Sequence, residues 1–164
     1  MSDPPGLARR NGWTLLRCTP FIETLEKLAS DVERIQRDRR NAWAAHPRTK
    51  LLARIRDLIF DEIPTDPNAP AFALGNTLGP HRRHWRRAKF MRRFRLFFRF
   101  DSVTRIIVYA WVNDESTLRK AGAKTDPYAI FTRRLDAGDP PDSWADLTSD
   151  AKAAERLAHR DRDG

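Results

Sequence analysis

FRLFFRFDSVTRIIVYAWV, residues 94–112, carries the pattern that decides the fold. In its first half, aromatic and aliphatic residues alternate with arginine, which is typical of a strand with one face in a core. The second half is apolar on both faces, which predicts a central strand. We expect the two halves to form a hairpin with a turn at Asp101-Ser102, and a further strand over 84–91 to pair around Arg92-Arg93.

The sequence before these strands predicts one strand and two helices. WTLLRC, 13–18, has the composition of a short strand, and Thr19-Pro20 predicts the cap and first turn of a helix. Apolar residues spaced at three and four continue this helix to about residue 39. The same spacing predicts a second helix that begins at about Arg48 and ends before Pro64. Helices that follow each other so closely are expected to lie antiparallel.

The remaining segments complete an α+β class, because helices and strands are segregated along the chain. Asp126-Pro127 predicts the cap of a helix over 127–136. Residues 138–150 are expected to be a loop onto which Trp144 packs back. We expect a disordered tail at 1–10, a single domain at 11–150 and a polar, fraying tail at 151–164. The predicted fold is two N-terminal antiparallel helices packed on a mostly antiparallel four-stranded sheet, plus a C-terminal helix.

The net charge of +9 arises from 31 basic and 22 acidic residues and is confined to one segment. Residues 81–100, HRRHWRRAKFMRRFRLFFRF, contain nine Arg or Lys and no acid, so the rest of the chain is balanced at 22 basic and 22 acidic residues. We call this segment the basic window. A concentrated field of this kind attracts polyanions, and arginine binds phosphate and stacks on bases.

Several classes of protein are excluded by composition. No apolar run reaches the length of a membrane span, and the first ten residues lack the apolar core of a secretory signal. We therefore expect a cytoplasmic protein that is not bound to membranes. Cys18 is the single cysteine, so neither an internal disulfide nor a cysteine metal cluster is expected. No zinc, Walker or dinucleotide motif is present, and no metal site is predicted. Cys18 itself is expected to be buried and not nucleophilic.

Strand alternation predicts a cationic face with aromatic rings on the sheet. If the apolar side of 94–100 lies in the core, its other side and one side of 84–91 form a common outer surface. Cations for phosphates and rings for bases are what binding of single-stranded RNA requires. The simpler alternative is a charged, solvated sheet face, although such a face usually mixes both signs. The outer surface predicted in this way contains Arg87, Lys89, Arg95 and Arg99, with Trp85 and Phe97 as stacking platforms.

Two further groups of polar residues are candidates for the site. His84 stands at the start of the basic window, and imidazole titrates in the range that suits proton transfer in RNA cleavage. A surface histidine without a catalytic role is the more common case. Lys124 and Tyr128 flank the cap of the last helix, where Tyr128 is expected either to stack on a base or to pack.

Six segments resemble one family of bacterial proteins. The resemblance extends over about 11–147, with the segments in the same order, and it points to YhaV-type toxins of type II toxin–antitoxin systems, within the RelE/ParE-like superfamily. The chain departs from the family pattern at Arg86, where the family has an aromatic residue. The segments are NGWTLL (11–16), GNTLG (75–79), HWRRAKF (84–90), FRLFFRF (94–100), IIVYAWVND (106–114) and KTDPYAIF (124–131).

The resemblance implies a RelE-like fold and a metal-independent endoribonuclease that cleaves mRNA, either free or on the ribosome, and so stops translation and growth. It also implies a PrlF-type antitoxin with an AbrB-like fold, and autoregulation of the operon through operator DNA. By this resemblance Arg95 and Arg87 stabilise the phosphate in the transition state, and Lys89 or His84 transfers a proton. The expected RNA-binding residues are Arg99, Arg86, Phe97, Trp85, Arg92, Arg93, Lys124 and Tyr128.

Two other functions remain open on the sequence. One is a non-enzymatic binder, either a ParE-like inhibitor of a protein target or a ribosome-binding factor. The other is a degraded toxin retained as an interaction module. A single fold hosts both nucleases and inhibitors in this superfamily, so the fold alone does not distinguish them. The concentration of charge in the basic window favours RNA.

Overall fold

A computed structural model describes residues 6–38 and 42–163 of the chain and contains one mixed sheet. The order of strands is β1-β2-β5-β4-β3, in which β2 and β5 run parallel and the other neighbours run antiparallel. The α+β class is confirmed, but the sheet has five strands and one parallel pair. The strands are β1 Arg9–Arg10, β2 Trp13–Arg17, β3 Arg86–Phe90, β4 Phe94–Asp101 and β5 Ile106–Val112.

The fifth strand comes from the segment that was expected to be disordered. Arg9 and Arg10 pair with Thr14 and Trp13, so β1 is a short addition to the edge of β2. Residues 1–5 of the expected tail lie outside the described ranges. The central position of β5 between β2 and β4 agrees with its apolar composition on both faces.

In the described ranges, five α-helices pack around the sheet. The helix that follows His46 begins where a cap forms, because the Nδ1 atom of His46 accepts a hydrogen bond from the backbone N–H of Arg48 at 3.2 Å. The prediction that it ends before Pro64 is wrong: a π-helical turn over Leu58–Glu62 carries it into a last turn. The helices are α1 Thr19–Asp38, α2 Pro47–Asp57, α3 Ile63–Thr65, α4 Pro127–Asp136 and α5 Trp144–Asp163.

Both faces of the sheet are buried, so the chain forms three layers. On one face α1 and α2 pack against Leu96, Phe98 and Tyr109. On the other face α4 and α5 pack against Phe97 and other sheet residues. The expected outer surface is therefore only partly open: Lys89 is exposed, Arg87 and Arg99 are half-buried, and Arg95, Trp85 and Phe97 are buried. Alternation identifies the residues that share a face but not the element that covers it.

The segment 144–163, expected to be a loop and a fraying tail, is the continuous helix α5. Ala151, Ala154 and Ala158 recur at three and four residues and are buried, which lets this polar helix approach β2 and α1 closely. An ion pair joins the two elements: Nη2 of Arg17 on β2 lies 2.7 Å from Oε1 of Glu155, whose side chain is 3% exposed. The packing of Trp144 against the core is confirmed.

Strict alternation fails at the end of β5. The ladder between β4 and β5 shifts register between Phe97 and Phe98, which is the mark of a β-bulge. As a result Trp111 lies on the α4 side with Ala110, and Val112 lies on the α1 side. The connection between β4 and β5 is also longer than expected, since four residues, 102–105, separate Asp101 from its partner Ile106.

Within the described ranges, none of the helices combines the length and apolar composition that crossing a bilayer requires.

Candidate active site

The hydroxyl of Tyr128 lies between two arginines of the sheet. Nε of Arg87 donates to the Tyr128 oxygen at 2.9 Å, and Nε of Arg95 donates to the same oxygen at 3.2 Å. Guanidinium groups carry only donors, so the phenolic oxygen must be the acceptor in both bonds. The hydroxyl proton of Tyr128 is consequently left to donate to another group.

The register of the hairpin and the cap of α4 position these three side chains. Lys89 on β3 pairs with Arg95 on β4, and Arg87 lies two residues away on the same face of β3. Tyr128 reaches them because Asp126 caps α4 and accepts the backbone N–H of Tyr128 at 3.1 Å. The cap predicted at Asp126-Pro127 is thus confirmed, and it sets the position of Tyr128.

The other bonds of the two arginines go to neutral acceptors. Nη1 of Arg87 donates to the carbonyls of Ala71 and Ala73, and Nη1 of Arg95 donates to the carbonyls of Arg92 and Phe94. These contacts fix the guanidinium groups without cancelling their charge. In the described part of the chain, the only arginine or lysine of the basic window that forms a salt bridge with an acid is Arg82, which pairs with Asp136.

His84 belongs to a second group of side chains at the opposite end of β3. Its Nε2 lies 2.9 Å from Oδ1 of Asp142, and the same oxygen accepts Nε1 of Trp85 at 2.7 Å. Arg99 donates to the carbonyl of Asp142 at 2.6 Å, with its guanidinium between the rings of Trp85 and Trp144. Arg95 and Arg99 are four residues apart on β4, which corresponds to about 13 Å along the strand, whereas Arg87 is only three residues from His84.

The two aromatic residues expected to stack on bases are fully buried. Trp85 and Phe97 have 0% of their surface exposed and pack under Phe131 of α4. Neither ring is accessible to a nucleobase, so these two site predictions do not hold in the structure. The covering helix α4 was predicted, but the sequence did not show which face of the sheet it covers.

A cavity of about 460 Å³ lies away from the basic window. It is bounded by α1, α2 and 113–116, and no residue of the basic window lines it. The tyrosine and its two arginines instead lie beside the edge strand β3, with Tyr128 and Arg95 each 7% exposed and Arg87 half-buried. The described residues hold no group of three or more His, Cys, Asp or Glu side chains arranged to bind a metal.

Comparison with known proteins assigns the family. The family model described as a toxin with endonuclease activity, of a toxin–antitoxin system (Toxin_YhaV), matches residues 15–152. Toxin YhaV of Escherichia coli O6:H1 is 38% identical over 146 residues, which cover 88% of this chain and 95% of that protein. Ribonuclease toxin YhaV of Escherichia coli K12 has the same identity and coverage. The chain belongs to the YhaV toxin family. No solved structure matches it.

In this YhaV-family chain the other predicted RNA-binding residues are dispersed around β3. Arg92 and Lys89 are exposed and make no hydrogen bond or ion pair with the described residues through their side chains. Arg93 donates from Nε to the carbonyl of Arg119 at 3.1 Å. Arg86 turns toward the α1 face, where its guanidinium lies 5.7 Å from the ring centre of Phe100. The side chain of Lys124 is exposed, with no such bond to the described residues.

Sequence reasoning assigned no role in the candidate site to two residues that position it in this YhaV-family chain. Asn113 is buried, accepts the backbone N–H of Arg95 at 2.8 Å and donates to the carbonyls of Arg93 and Thr117. Arg119 lies over the ring of Tyr128, with 4.8 Å between its guanidinium carbon and the ring centre. Asn113 could be suspected from its place at the end of a central strand, but no local signal marks Arg119.

Cys18 is buried as predicted. Burial, followed by the charges of Asp150, Asp139 and Glu155, raises the pKa of its thiol to about 12. The thiolate is therefore scarce at neutral pH, which agrees with the expectation that this YhaV-family chain does not use Cys18 as a nucleophile.

The second group should make stability depend on pH. Burial alone would raise the pKa of Asp142, but hydrogen bonds from Trp85 and His84 and the charges of His84 and Arg99 outweigh burial, so the pKa is lowered. A lowered pKa stabilises the fold above the unfolded value of about 3.9, and this stabilisation is lost as pH falls through the folded value. We expect Asp142→Ala to lower Tm above pH 5 and the difference from wild type to shrink below pH 4.

Thermal unfolding between pH 3 and pH 7 measures this difference. Asp150→Ala, which removes an exposed acid from α5, is the matched control and should shift Tm little at any pH. A wild-type advantage over Asp142→Ala that stays constant from pH 7 to pH 3 would contradict the prediction.

Proposed function

We propose that this chain is the toxin of a type II toxin–antitoxin system and acts as a metal-independent endoribonuclease that cleaves mRNA, so that translation and growth stop. The observation that carries the proposal is the Tyr128 hydroxyl held by Arg87 and Arg95, two cations whose other partners are neutral. Family membership supports the nuclease activity, since the family is described as toxins with endonuclease activity.

The proposed reaction uses the ribose of the substrate as the nucleophile. The 2′-oxygen attacks the adjacent phosphorus, its proton passes to a base, the bond to the 5′-oxygen breaks, and that oxygen takes up a proton. Arg87 and Arg95 stabilise the charge on the phosphorane oxygens, which is the task for which fixed cations are effective. Because arginine supplies this charge, the proposed mechanism needs no metal ion.

We assign proton transfer to Tyr128, with Lys89 as the neighbouring cation that contacts the RNA. Tyr128 has a hydroxyl proton free for donation away from the two arginines, and its oxygen is fixed by two bonds. His84 does not fit this role, because it lies at the other end of β3 in a bond with Asp142. We keep Arg92 and Arg93 as RNA-binding residues at the tip between β3 and β4 and assign Arg99 a structural role between two tryptophans.

The partners are proposed on the same basis. A toxin–antitoxin system implies an antitoxin, and we propose a PrlF-type protein with an AbrB-like fold that also binds operator DNA. The uncompensated charge of the basic window favours an antitoxin with an acidic segment that covers Lys89 and Arg92. The proposed site of action is the cytoplasm, on free or ribosome-bound mRNA.

The proposal predicts cleavage of RNA that depends on the ribose hydroxyl and not on metal. The purified chain should cut an RNA oligonucleotide in EDTA and should fail to cut the same oligonucleotide with a single 2′-deoxyribose at the scissile position. Lys89→Ala should lower the cleavage rate by roughly 10-fold, as for a lost charged hydrogen bond, with little change in Tm because the side chain is exposed.

Induced expression without antitoxin, followed by mapping of mRNA 5′ ends, tests the same proposal in cells. New 5′ ends are the expected result. Growth arrest with intact mRNA would contradict it and would favour the ParE-like inhibitor of a protein target.

A further inference from the structure

Arg119 differs from the sheet arginines because its charge is held by an acid. Its Nη1 lies 2.6 Å from Oδ1 of Asp126, and the side chain of Arg119 remains 33% exposed. The guanidinium of Arg119 lies over the ring of Tyr128. The guanidinium of Arg95 lies near the same ring, 5.9 Å from its centre. Three guanidinium groups, those of Arg87, Arg95 and Arg119, therefore surround one tyrosine.

The backbone of Arg119 is tied to the tip between β3 and β4. Its N–H donates to the carbonyl of Arg93 at 2.9 Å, and Nε of Arg93 donates back to the carbonyl of Arg119 at 3.1 Å. The connection between β5 and α4 is thereby held beside the exposed end of the basic window. The side chain of Arg119 has little freedom to leave this position, which lowers the entropy cost of using it.

Asp126 uses both of its oxygens to position the site. Oδ1 accepts Nη1 of Arg119 and the backbone N–H of Lys120, and Oδ2 accepts the backbone N–H of Tyr128. The residue is buried. One carboxylate therefore fixes the start of α4, the connection before it and the guanidinium over Tyr128.

The donors of Arg119 exceed its partners. A guanidinium carries five N–H donors, and the side chain of Arg119 uses one atom, Nη1, in hydrogen bonds to the described residues. The other N–H donors of this partly exposed guanidinium lie beside Tyr128. They have the forked arrangement with which arginine binds phosphate oxygens.

We propose that Arg119 binds a phosphate group of the RNA substrate next to Tyr128, and that Asp126 is the residue that positions it. The inference rests on the proposed ribonuclease function and adds a third arginine to Arg87 and Arg95. Because the Arg119–Asp126 pair is close to neutral, Arg119 acts through the direction of its hydrogen bonds more than through added charge.

The experiment compares Arg119→Ala, Arg119→Lys and Asp126→Asn in the EDTA cleavage assay. Arg119→Ala should lower kcat/KM by roughly 10- to 100-fold, as for a lost charged hydrogen bond. Arg119→Lys should recover little of this loss, because lysine keeps the charge and lacks the fork. Asparagine also caps helices well, so the fold should persist in Asp126→Asn. We expect kcat to fall because Arg119 is no longer positioned. KM should not rise, because the change removes a negative charge beside the RNA.

Binding provides a second readout that a purely structural role would not change. In a Tyr128→Phe background, which should bind RNA without cutting it, the affinity for a single-stranded oligonucleotide is measured against salt concentration. Each phosphate contact contributes about 0.7 to the slope of log affinity against log salt for single strands, so Arg119→Ala should reduce the slope by about 0.7. Exposed Arg133, whose Nη2 donates to the carbonyl of Lys124, is the matched control, and Arg133→Ala should leave activity unchanged.

The outcomes separate this inference from the proposed function. Suppose that the wild-type chain cleaves RNA, that Arg119→Ala cleaves it within about twofold of the wild-type rate, and that the salt slope is unchanged. This result overturns the role of Arg119 and leaves the ribonuclease function intact. A wild-type chain that does not cleave RNA overturns both. If Arg119→Ala fails to fold, Asp126→Asn decides: a kcat equal to that of wild type overturns the positioning role, and a lower kcat with an unraised KM supports it.

Discussion

Tyr128→Phe should lower the rate of RNA cleavage by roughly 10²- to 10⁴-fold, which is the range of a lost general acid or base. The change removes one oxygen and leaves the ring in place against Phe97. That oxygen accepts from Arg87 and Arg95, so the variant loses the proton-transfer group and the acceptor that holds both guanidinium groups. Single-turnover cleavage of an RNA oligonucleotide measures the effect on chemistry separately from binding.

The chain supplies its own matched control, because Tyr109 is its other tyrosine. The Tyr109 hydroxyl is buried on the α1 face and donates to the carbonyl of Ile59 at 2.6 Å. Tyr109→Phe should cost about 1 kcal/mol of stability for one lost hydrogen bond and leave cleavage intact. Equal cleavage rates for Tyr128→Phe and wild type would transfer the proton-transfer role to Lys89.

Glu155→Ala should destabilise the fold by roughly 3–5 kcal/mol, because it leaves the charge of Arg17 without its partner in a mostly buried place. Arg17 binds Glu155 through both Nε and Nη2, with side-chain exposures of 19% and 3%. For a chain of this size the loss corresponds to a decrease in Tm of roughly 6–20 °C. Urea unfolding measures the free energy, and thermal unfolding measures Tm.

Two further variants show whether the effect comes from the ion pair. Leu157→Ala changes an exposed residue of the same helix and should alter stability by no more than about 0.5 kcal/mol. The double variant Arg17→Met with Glu155→Leu replaces the pair by apolar residues and should recover most of the stability. A loss below about 1 kcal/mol for Glu155→Ala would mean that α5 does not dock through this pair.

Local patterns predicted most of the elements. The strand WTLLRC, the two long N-terminal helices, the hairpin of the basic window and the capped helix at Asp126 follow from spacing, proline placement and alternation. Each of these signals depends on residues a few positions apart, so it can be recognised in a single sequence without a structure. The helix α5 escaped prediction because, apart from Leu147, its buried residues are alanines and one glutamate, which do not form a marked apolar stripe in the sequence.

The residues of the candidate site were proposed from the sequence, but their arrangement was not. Arg87, Arg95, Lys89 and Tyr128 were all candidates, and the structure joins Arg87 and Arg95 to Tyr128, with Lys89 opposite Arg95 in the ladder. His84 was expected with them but lies before the start of β3, with its ring nitrogen bound to Asp142. The separation of His84 from Tyr128 depends on the register of the hairpin and on the bond to Asp142, which lies 58 positions later in the chain. Contacts of this range have no local signature in the sequence.

The parallel pairing of β2 with β5 has a consequence for synthesis of the chain. Several contacts join residues that are synthesised far apart. Leu15 pairs with Ile107 in the sheet, and Arg95 binds Tyr128. Arg17 binds Glu155, which follows it by 138 residues. A nascent chain on the ribosome can hold the basic window well before it holds the tyrosine that completes the site, because domains emerge from the N-terminus. With the role proposed here for Tyr128, we expect a nascent chain to lack cleavage activity until α4 has been synthesised.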